Sequence, residues 1–279
     1  MLNILKSGFF TTIQDDGRFN YRDKGVPVAG VMDTYSVSII TSLLENEEPT
    51  AVLEITMTGP QLAFEADTYI ALGGAEMMVT LNDKPIENYR VYQVKAGDVL
   101  SYGKLEKGFR GYLALKGGID SLEVLGSRSQ YKPITEHVSI KKMGELPYKE
   151  CKEFKPKISE IKVDSVLDKS ELKVFKGPEF NLLTDKQLGQ LFYRDFTVAN
   201  ENNRMAYQLN EPIEENNFTM LTSATLPGTV QLTPSGKLIV LMKDGQTTGG
   251  YPRILQLSDM AISILAQKRS GDHISFKLK

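Results

Sequence analysis

Apolar and polar positions alternate over short windows along most of the chain. Runs rich in Val, Ile, Tyr and Phe, among them "TYIALGGAEMMVTLND", "YRVYQVKAGDVLSYG", "FRGYLALKGGI", "GKLIVLMKDG", "YPRILQLSD" and "DHISFKLK", sit between clusters of Gly, Asp, Asn and Pro. A strand turns every second side chain to one face, so many short runs at turn-marked spacing predict a mainly β protein, a sandwich or barrel. Helical periodicity is scarce. One helix is predicted after Asp33, a good N-cap, with Val37, Ile40, Leu43 and Leu44 on one face and a stop in "ENEEPT". A second is predicted over "SDMAISILAQK", capped by Ser258 or Asp259.

The two halves echo each other. "VKAGDVLSY" at 94–102 resembles "KRSGDHISF" at 268–276, and each follows an apolar strand that runs into glycines, "YIALGG" and "LIVLMKDG". A Gly-Asp turn leading into alternating residues suits the closing strand of a barrel, so a duplicated unit is expected. The densely charged stretch between the halves reads as a connector over 141–170, dividing an N-terminal half, 1–140, from a C-terminal half, 171–279.

Composition narrows the function classes. With 279 residues, 41% hydrophobic and 24% charged, the chain can bury one large or two medium cores. Its 33 basic and 35 acidic residues give a formal charge of -2, and no Lys/Arg block is interleaved with aromatics, so no nucleic-acid partner is expected. The single cysteine, Cys151, has no internal disulfide partner and reads as an incidental thiol. No window approaches the roughly 20 apolar residues of a membrane span, and "MLNILKSGFF" lacks the pattern of a signal peptide. No membrane association and a cytoplasmic location are the expectation.

The candidate chemistry lies in two polar segments. His137 and His273 are the only histidines, which leaves Ser-His-Asp and Cys-His sites poorly supported and a multi-histidine metal cluster impossible within one copy; no metal site is expected. No phosphate-loop motif occurs. The first segment packs Gln14, Asp15, Asp16 and Arg18 around Gly17, then Gly25, Pro27, Gly30 and Asp33. Adjacent carboxylates beside a guanidinium fork can position an amide or carboxylate substrate; the alternative is a β-turn in which Arg18 pairs with a neighbouring Asp. The second segment is "KDGQTTGGYPR", 243–253. Gly249 and Gly250 permit backbone conformations that turn successive N–H groups toward an oxyanion, Gln246, Thr247 and Thr248 add hydrogen bonds, and Tyr251 adds an apolar wall. Ordinary hairpin chemistry is the alternative.

These segments also carry a resemblance. "IQDDGR" followed by "GVPVAGVMD", then "AVLEITMTGPQLAF", "IALGGA", "GYLALKGGI", "LGSRSQ", "NNRMAYQL" and "DGQTTGGYP" resemble, in order and from about residue 5 onward, the allophanate hydrolase subunit 2 or biotin-dependent carboxyltransferase family. That family includes the C subunit of 5-oxoprolinase, the carboxyltransferase region of urea carboxylase, and a protein that counteracts an inhibitor of a sporulation sensor kinase. The resemblance implies two cyclophilin-like β-barrel halves and a hetero-oligomeric partner from the allophanate hydrolase subunit 1 family, the B subunit of 5-oxoprolinase. For a stand-alone chain it points most to the C subunit of an ATP-dependent 5-oxoprolinase complex, inactive alone, which with the A and B subunits opens the 5-oxoproline lactam to glutamate. The alternatives are a carboxyltransferase or allophanate hydrolase subunit acting on urea-like amides, and a non-enzymatic regulator that binds a sensor-kinase inhibitor. Carboxyl transfer would require biotin on another chain, since no "AMKM"-type motif occurs here.

The resemblance marks Gln14, Asp15, Gly17, Arg18, Pro27, Met32, Asp33, Glu54, Ser127, Arg128 and Ser129 in the first half. In the second it marks Asn203, Arg204, Met205, Tyr207 and the run Gln246 to Pro252. Side-chain chemistry then suggests the roles: Arg18 or Arg204 holds a carboxylate or carboxyphosphate-like group, the loop N–H groups at Thr248, Gly249 and Gly250 stabilise an oxyanion, and Asp15 is the acid/base. Gln14, Asp33, Ser127, Gln246, Thr247 and Tyr251 complete the expected substrate contacts, in one cleft between the halves. Two departures stand out. After "LGSRSQY" the family's glycine-rich segment is replaced by "KPITEHVSIKKMGELPYKE", and Ala206 stands where the family usually has glycine.

Overall fold

The computed structural model describes residues 1–47 and 50–279, which divide into two units. The first comprises Met1–Gly17 and Ala29–Leu167, the second Arg18–Val28 and Asp168–Lys279. Among the described residues the chain is mainly β, with three α-helices.

In the first unit, strands β1 (Leu2–Lys6), β2 (Phe10–Gln14), β3 (Val52–Thr56), β4 (Gln61–Phe64), β5 (Thr68–Leu81), β6 (Lys84–Pro85), β7 (Val91–Val94), β8 (Val99–Leu115) and β9 (Glu145–Leu146) form one nine-stranded half-barrel sheet. Its spine is the antiparallel pair β5 and β8, paired from Ile70 opposite Leu115 to Leu81 opposite Leu100. The sequence reads β8 as two runs separated by the charged residues around 104–107, whereas the structure carries one 17-residue strand through them. The pair shifts register between Gly74 and Val79, and Gly108 takes a φ of 78°, so bulges absorb the irregular stretch while Lys104 and Glu106 point to solvent.

Both faces of the central strands are buried, which explains the near-continuous apolar runs. Leu53, Ile70, Leu72, Leu113 and Leu115 pack into the main core with Leu2, Ile13 and Phe64. The alternate positions Val52, Ala71, Tyr112 and Ala114 meet helix α1 (Thr34–Leu43) through Val37, Ile40 and Leu44. A Cβ on Gly73 would lie 2.8 Å from the Ile40 side chain, so the glycine lets α1 approach the sheet. Asp33 caps α1 as expected, accepting from the Ser36 N–H. Of the predicted stop, Glu48 and Pro49 lie outside the described residues. The segment expected as a connector supplies β9, which pairs with β1, and isolated bridges from Tyr148 to Ile119 and from Glu160 to Arg90.

The second unit contains β10 (Glu171–Lys176), α2 (Asp185–Phe192), β11 (Phe196–Asn202), β12 (Ala206–Leu209), β13 (Ser223–Ala224), β14 (Thr229–Leu232), β15 (Leu238–Leu241), β16 (Thr248–Gly249), β17 (Arg253–Leu257), α3 (Asp259–Ala266) and β18 (His273–Leu278). Seven of these strands close a barrel in the order β10-β17-β14-β15-β12-β11-β18, sealed by the parallel pairing of β10 with β18. Strands β13 and β16 form a separate ribbon. Ser258 caps α3, within the predicted choice. Helix α2 escapes the sequence reading although "TDKQ" is a capping box, with Thr184 and Gln187 satisfying each other's backbone N–H groups.

The sequence echo has a structural counterpart. Gly97 (φ 91°) and Gly271 (φ 89°) occupy the same left-handed position of a turn. In each turn the aspartate accepts from the backbone three residues earlier: Lys95 N–H to Asp98 at 2.8 Å, and Arg269 N–H to Asp272 at 2.7 Å. Each turn also clasps a strand residue by two backbone hydrogen bonds, Phe64 with Gly97 and Asp98, and Val198 with Gly271 and Asp272.

Candidate functional site

The expected site residues fall in two groups, one in each unit. In the first, β2 ends at Gln14 and delivers Asp15 into the "LGSRSQ" loop. Asp15 Oδ1 accepts from the Gly17 N–H at 2.9 Å, the Ser127 hydroxyl at 2.6 Å and the Ser129 hydroxyl at 2.5 Å, while Oδ2 accepts from the Arg128 N–H at 2.6 Å. The side chain is buried, and both oxygens are occupied by donors of its own unit. Gln14 lies beside it, donating to Thr12 Oγ1 and to the Gln130 carbonyl. The structure thus joins Gln14, Asp15 and Ser127 in one cradle, built as a loop anchor.

Asp33 belongs to a neighbouring buried network. Its carboxylate takes the Ser36 N–H at 3.0 Å and the Ser36 hydroxyl at 2.7 Å, and its own N–H donates to the Tyr112 hydroxyl at 2.9 Å. Tyr112 donates in turn to Glu54 Oε2 at 3.0 Å, the same oxygen that receives the Met32 N–H. Arg110 lies 3.8 Å from the other Glu54 oxygen, with both side chains almost fully buried. Burial, and then the Glu54 and Asp33 carboxylates, push the Tyr112 phenol well above its usual range, so it stays a protonated donor. Sequence reasoning missed Tyr112 and Arg110, which sit in an apolar strand and advertise themselves only through their partners.

The second group lies in the second unit. Arg204 donates from Nε and Nη2 to the two oxygens of Asp244, each at 2.9 Å, and its carbonyl accepts the Asp244 N–H. One edge of its fork is therefore already filled, by the aspartate that opens "DGQTTGGYP" and was given no role of its own. Arg18 is fully buried, and its backbone N–H meets the Val28 carbonyl at 2.6 Å. On the ribbon, Ser223 pairs with Gly249 and Ala224 with Thr248. Gln246, Thr248, Gly250 and Tyr251 are exposed, Thr247 is half-buried and Gly249 is buried.

The expected backbone role of the paired glycines needs correction: neither Gly249 nor Gly250 is among the residues with positive φ. What Gly249 offers is space: a Cβ there would lie 2.4 Å from Gln231 Nε2 and 2.7 Å from Gln246 Nε2, and both amides would have to shift. Gly250 meets nothing within 4 Å.

Two further arginines hold this ribbon. Arg253 Nη1 donates to the Ala224 carbonyl at 2.6 Å, while its Nε and Nη2 grip the Glu179 carboxylate at 2.9 and 2.7 Å. The hydrogen bonds from Arg253 keep the Glu179 carboxyl below its usual range despite partial burial. Arg22 Nη2 donates to the next carbonyl, that of Thr225. Thr225 then ties the loop together, its N–H to the Thr247 carbonyl at 3.0 Å and its hydroxyl to the Gln246 carbonyl at 2.5 Å. Arg253 directly follows "GGYP" and was within reach of sequence reasoning; Arg22 and Gln231 carry no local signal.

The chain thus holds a closed β-barrel and a half-barrel sheet, with a matching Gly-Asp turn in each. The chain belongs to the carboxyltransferase domain, subdomain A and B, family, whose model matches residues 24–278. It is 33% identical to the 5-oxoprolinase C subunit of Escherichia coli (strain K12) over 283 residues, covering 99% of this chain and 90% of that protein. Among solved structures it resembles TTHA0988 with a TM-score of 0.87 at 24% identity, a likeness of fold that spans 99% of this chain and 56% of that one. It resembles the Kluyveromyces lactis urea carboxylase with a TM-score of 0.82 at 26% identity, over 99% of this chain and 27% of that one. Among the described residues, no helix is long and apolar enough to cross a membrane.

Proposed function

We propose that this protein is the C component of an ATP-dependent 5-oxoprolinase complex, working in the cytoplasm with the A and B components to open the 5-oxoproline lactam to glutamate. The observation that carries the reading is the 33% identity to an oxoprolinase C component across almost the full length of both chains. ATP is used by the complex, and this chain acts as one part of a composite hydrolase that has no activity alone.

The site geometry divides the labour. Thr248, with Gln246 and Tyr251, stands exposed on the β13–β16 ribbon and offers donors and an apolar wall to a small lactam. Asp15 and Arg204 act as positioning residues: the first anchors the Ser127–Ser129 loop, and the second is gripped by Asp244. Arg18, buried beside the Val28 carbonyl, remains the proposed holder of the substrate carboxylate or carboxyphosphate-like group in the oxoprolinase reaction.

The test is glutamate release from 5-oxoproline and ATP by this chain mixed with its cognate A and B components, each omitted in turn. Activity that requires all three supports the reading. A complex that forms yet releases no glutamate rejects it. The likeness to urea carboxylase favours, as second reading, carboxyl transfer to a urea-like amide with biotin on another chain. Carboxylation of urea on adding a biotinylated carrier would establish that alternative.

A further inference from the structure

The first unit holds a cavity of about 140 Å³ that shares a wall with the Asp15 cradle. Ile13 and Gln130 form part of that wall, tied together by the Gln130 N–H to the Ile13 carbonyl at 2.9 Å and the Ile13 N–H to Gln130 Oε1 at 3.0 Å. Arg128 continues it, and the Arg128 backbone N–H is the one that meets Asp15 Oδ2. A further wall comes from Thr135, Glu136, His137 and Met143, inside the segment where this chain departs from the glycine-rich pattern. That segment is held by its own hydrogen bonds: Thr135 Oγ1 accepts the Tyr131 N–H at 2.9 Å and donates to the His137 carbonyl at 2.8 Å.

The side chains lining this cavity leave chemistry unused. Arg128 and Glu136 bring opposite charges to it and do not pair with each other: Arg128 Nη2 lies 3.0 Å from Asp120, and Glu136 has no hydrogen-bond or ion-pair partner among the described residues. The His137 ring is without a partner among the described residues, and so is the hydroxyl of Ser121, a buried residue of the same lining. Ile13, Val124 and Met143 add an apolar side. A guanidinium calls for a carboxylate, a carboxylate for an ammonium, and an apolar surface for an aliphatic group. Pockets for drug-sized ligands span about 300–1,000 Å³, so this one admits only a few heavy atoms.

We propose that the cavity is a binding site for a small aliphatic α-amino acid. Arg128, with donors from Ser121 and His137, takes the carboxylate; Glu136 takes the ammonium; Ile13, Val124 and Met143 hold the side chain. The site uses none of the residues assigned to the oxoprolinase substrate and does not rest on that reading.

The experiment is calorimetric titration of the full chain with L-valine, with isovalerate, which lacks the ammonium, and with isobutylamine, which lacks the carboxylate. L-Valine should bind about tenfold or more tighter than either. Arg128→Gln, which keeps the backbone N–H on Asp15, should abolish the advantage over isobutylamine, and Arg128→Lys should restore part of it. Glu136→Gln should abolish the advantage over isovalerate. Circular dichroism confirms that each variant is folded; Glu136 is exposed, so its replacement tests the site even where Arg128→Gln does not fold. Isovalerate binding as tightly as L-valine would assign the cavity to simple carboxylates and overturn the proposal. No saturable binding of L-valine, or either advantage unchanged in its folded variant, overturns it as well.

Discussion

The Arg204 guanidinium and the Asp244 carboxylate form a two-point contact, Nε to Oδ2 and Nη2 to Oδ1, both at 2.9 Å. With side-chain exposures of only 8% and 14%, the pair is screened little by solvent. Asp244→Ala strands a nearly buried cation and should cost about 3 kcal/mol. Removing both partners, as Arg204→Met with Asp244→Ala, should cost less than the sum of the single changes. Urea unfolding of the four proteins checks this; additive losses would mean that the contact carries no coupling.

Asp15 distinguishes an anchor from an acid/base. Asp15→Asn puts an amide where four donors converge, so it should lower stability by about 2–3 kcal/mol as well as activity. Retained thermal stability with lost glutamate release would instead make Asp15 the proton-transfer group.

The neighbouring ribbon glycines should behave differently. Gly249→Ala puts a Cβ 2.4 Å from Gln231 Nε2, so the buried Gln231 amide must shift, and should cost about 1–3 kcal/mol. Gly250→Ala meets open space and should stay within about 0.5 kcal/mol of the wild type. Thermal melts compare them.

Glu179 predicts a pH dependence. Hydrogen bonds from Arg253 hold its folded pKa below that of the unfolded chain, so the stabilisation is complete above the ordinary glutamate range, about 4.3. It is lost as pH falls through the depressed folded value. Glu179→Gln should therefore be less stable than wild type at pH 7, and the gap should close as the pH is taken down toward about 3. A gap that stays constant in urea midpoints across this range would contradict the assignment.

The paired turns should answer alike. Gly97→Ala and Gly271→Ala each place a side chain at a φ near 90° with open space around it, so each should cost about 1–2 kcal/mol from backbone strain alone. Markedly unequal losses would show that the two turns do not carry equivalent loads.

The sequence by itself determined whatever depends on local periodicity and turn chemistry. Alternating runs announced the strands, Asp33 and Ser258 announced the caps of α1 and α3, and the Gly-Asp repeats announced the matching turns, because these signals reside within a few neighbouring residues. Several motif residues were legible for the same reason: "QDDGR" and "LGSRSQ" name Asp15 and its serine partners, and only the fold shows that they are partners. Tertiary structure alone decided the rest. It ran β8 through a charged stretch by bulging that strand, filled the Arg204 fork with Asp244 forty residues on, and put Gln231 against Gly249. Hydrogen bonds between residues distant in the chain leave no periodic trace, so a glycine chosen for space reads, until the chain folds, like a glycine chosen for its backbone angle.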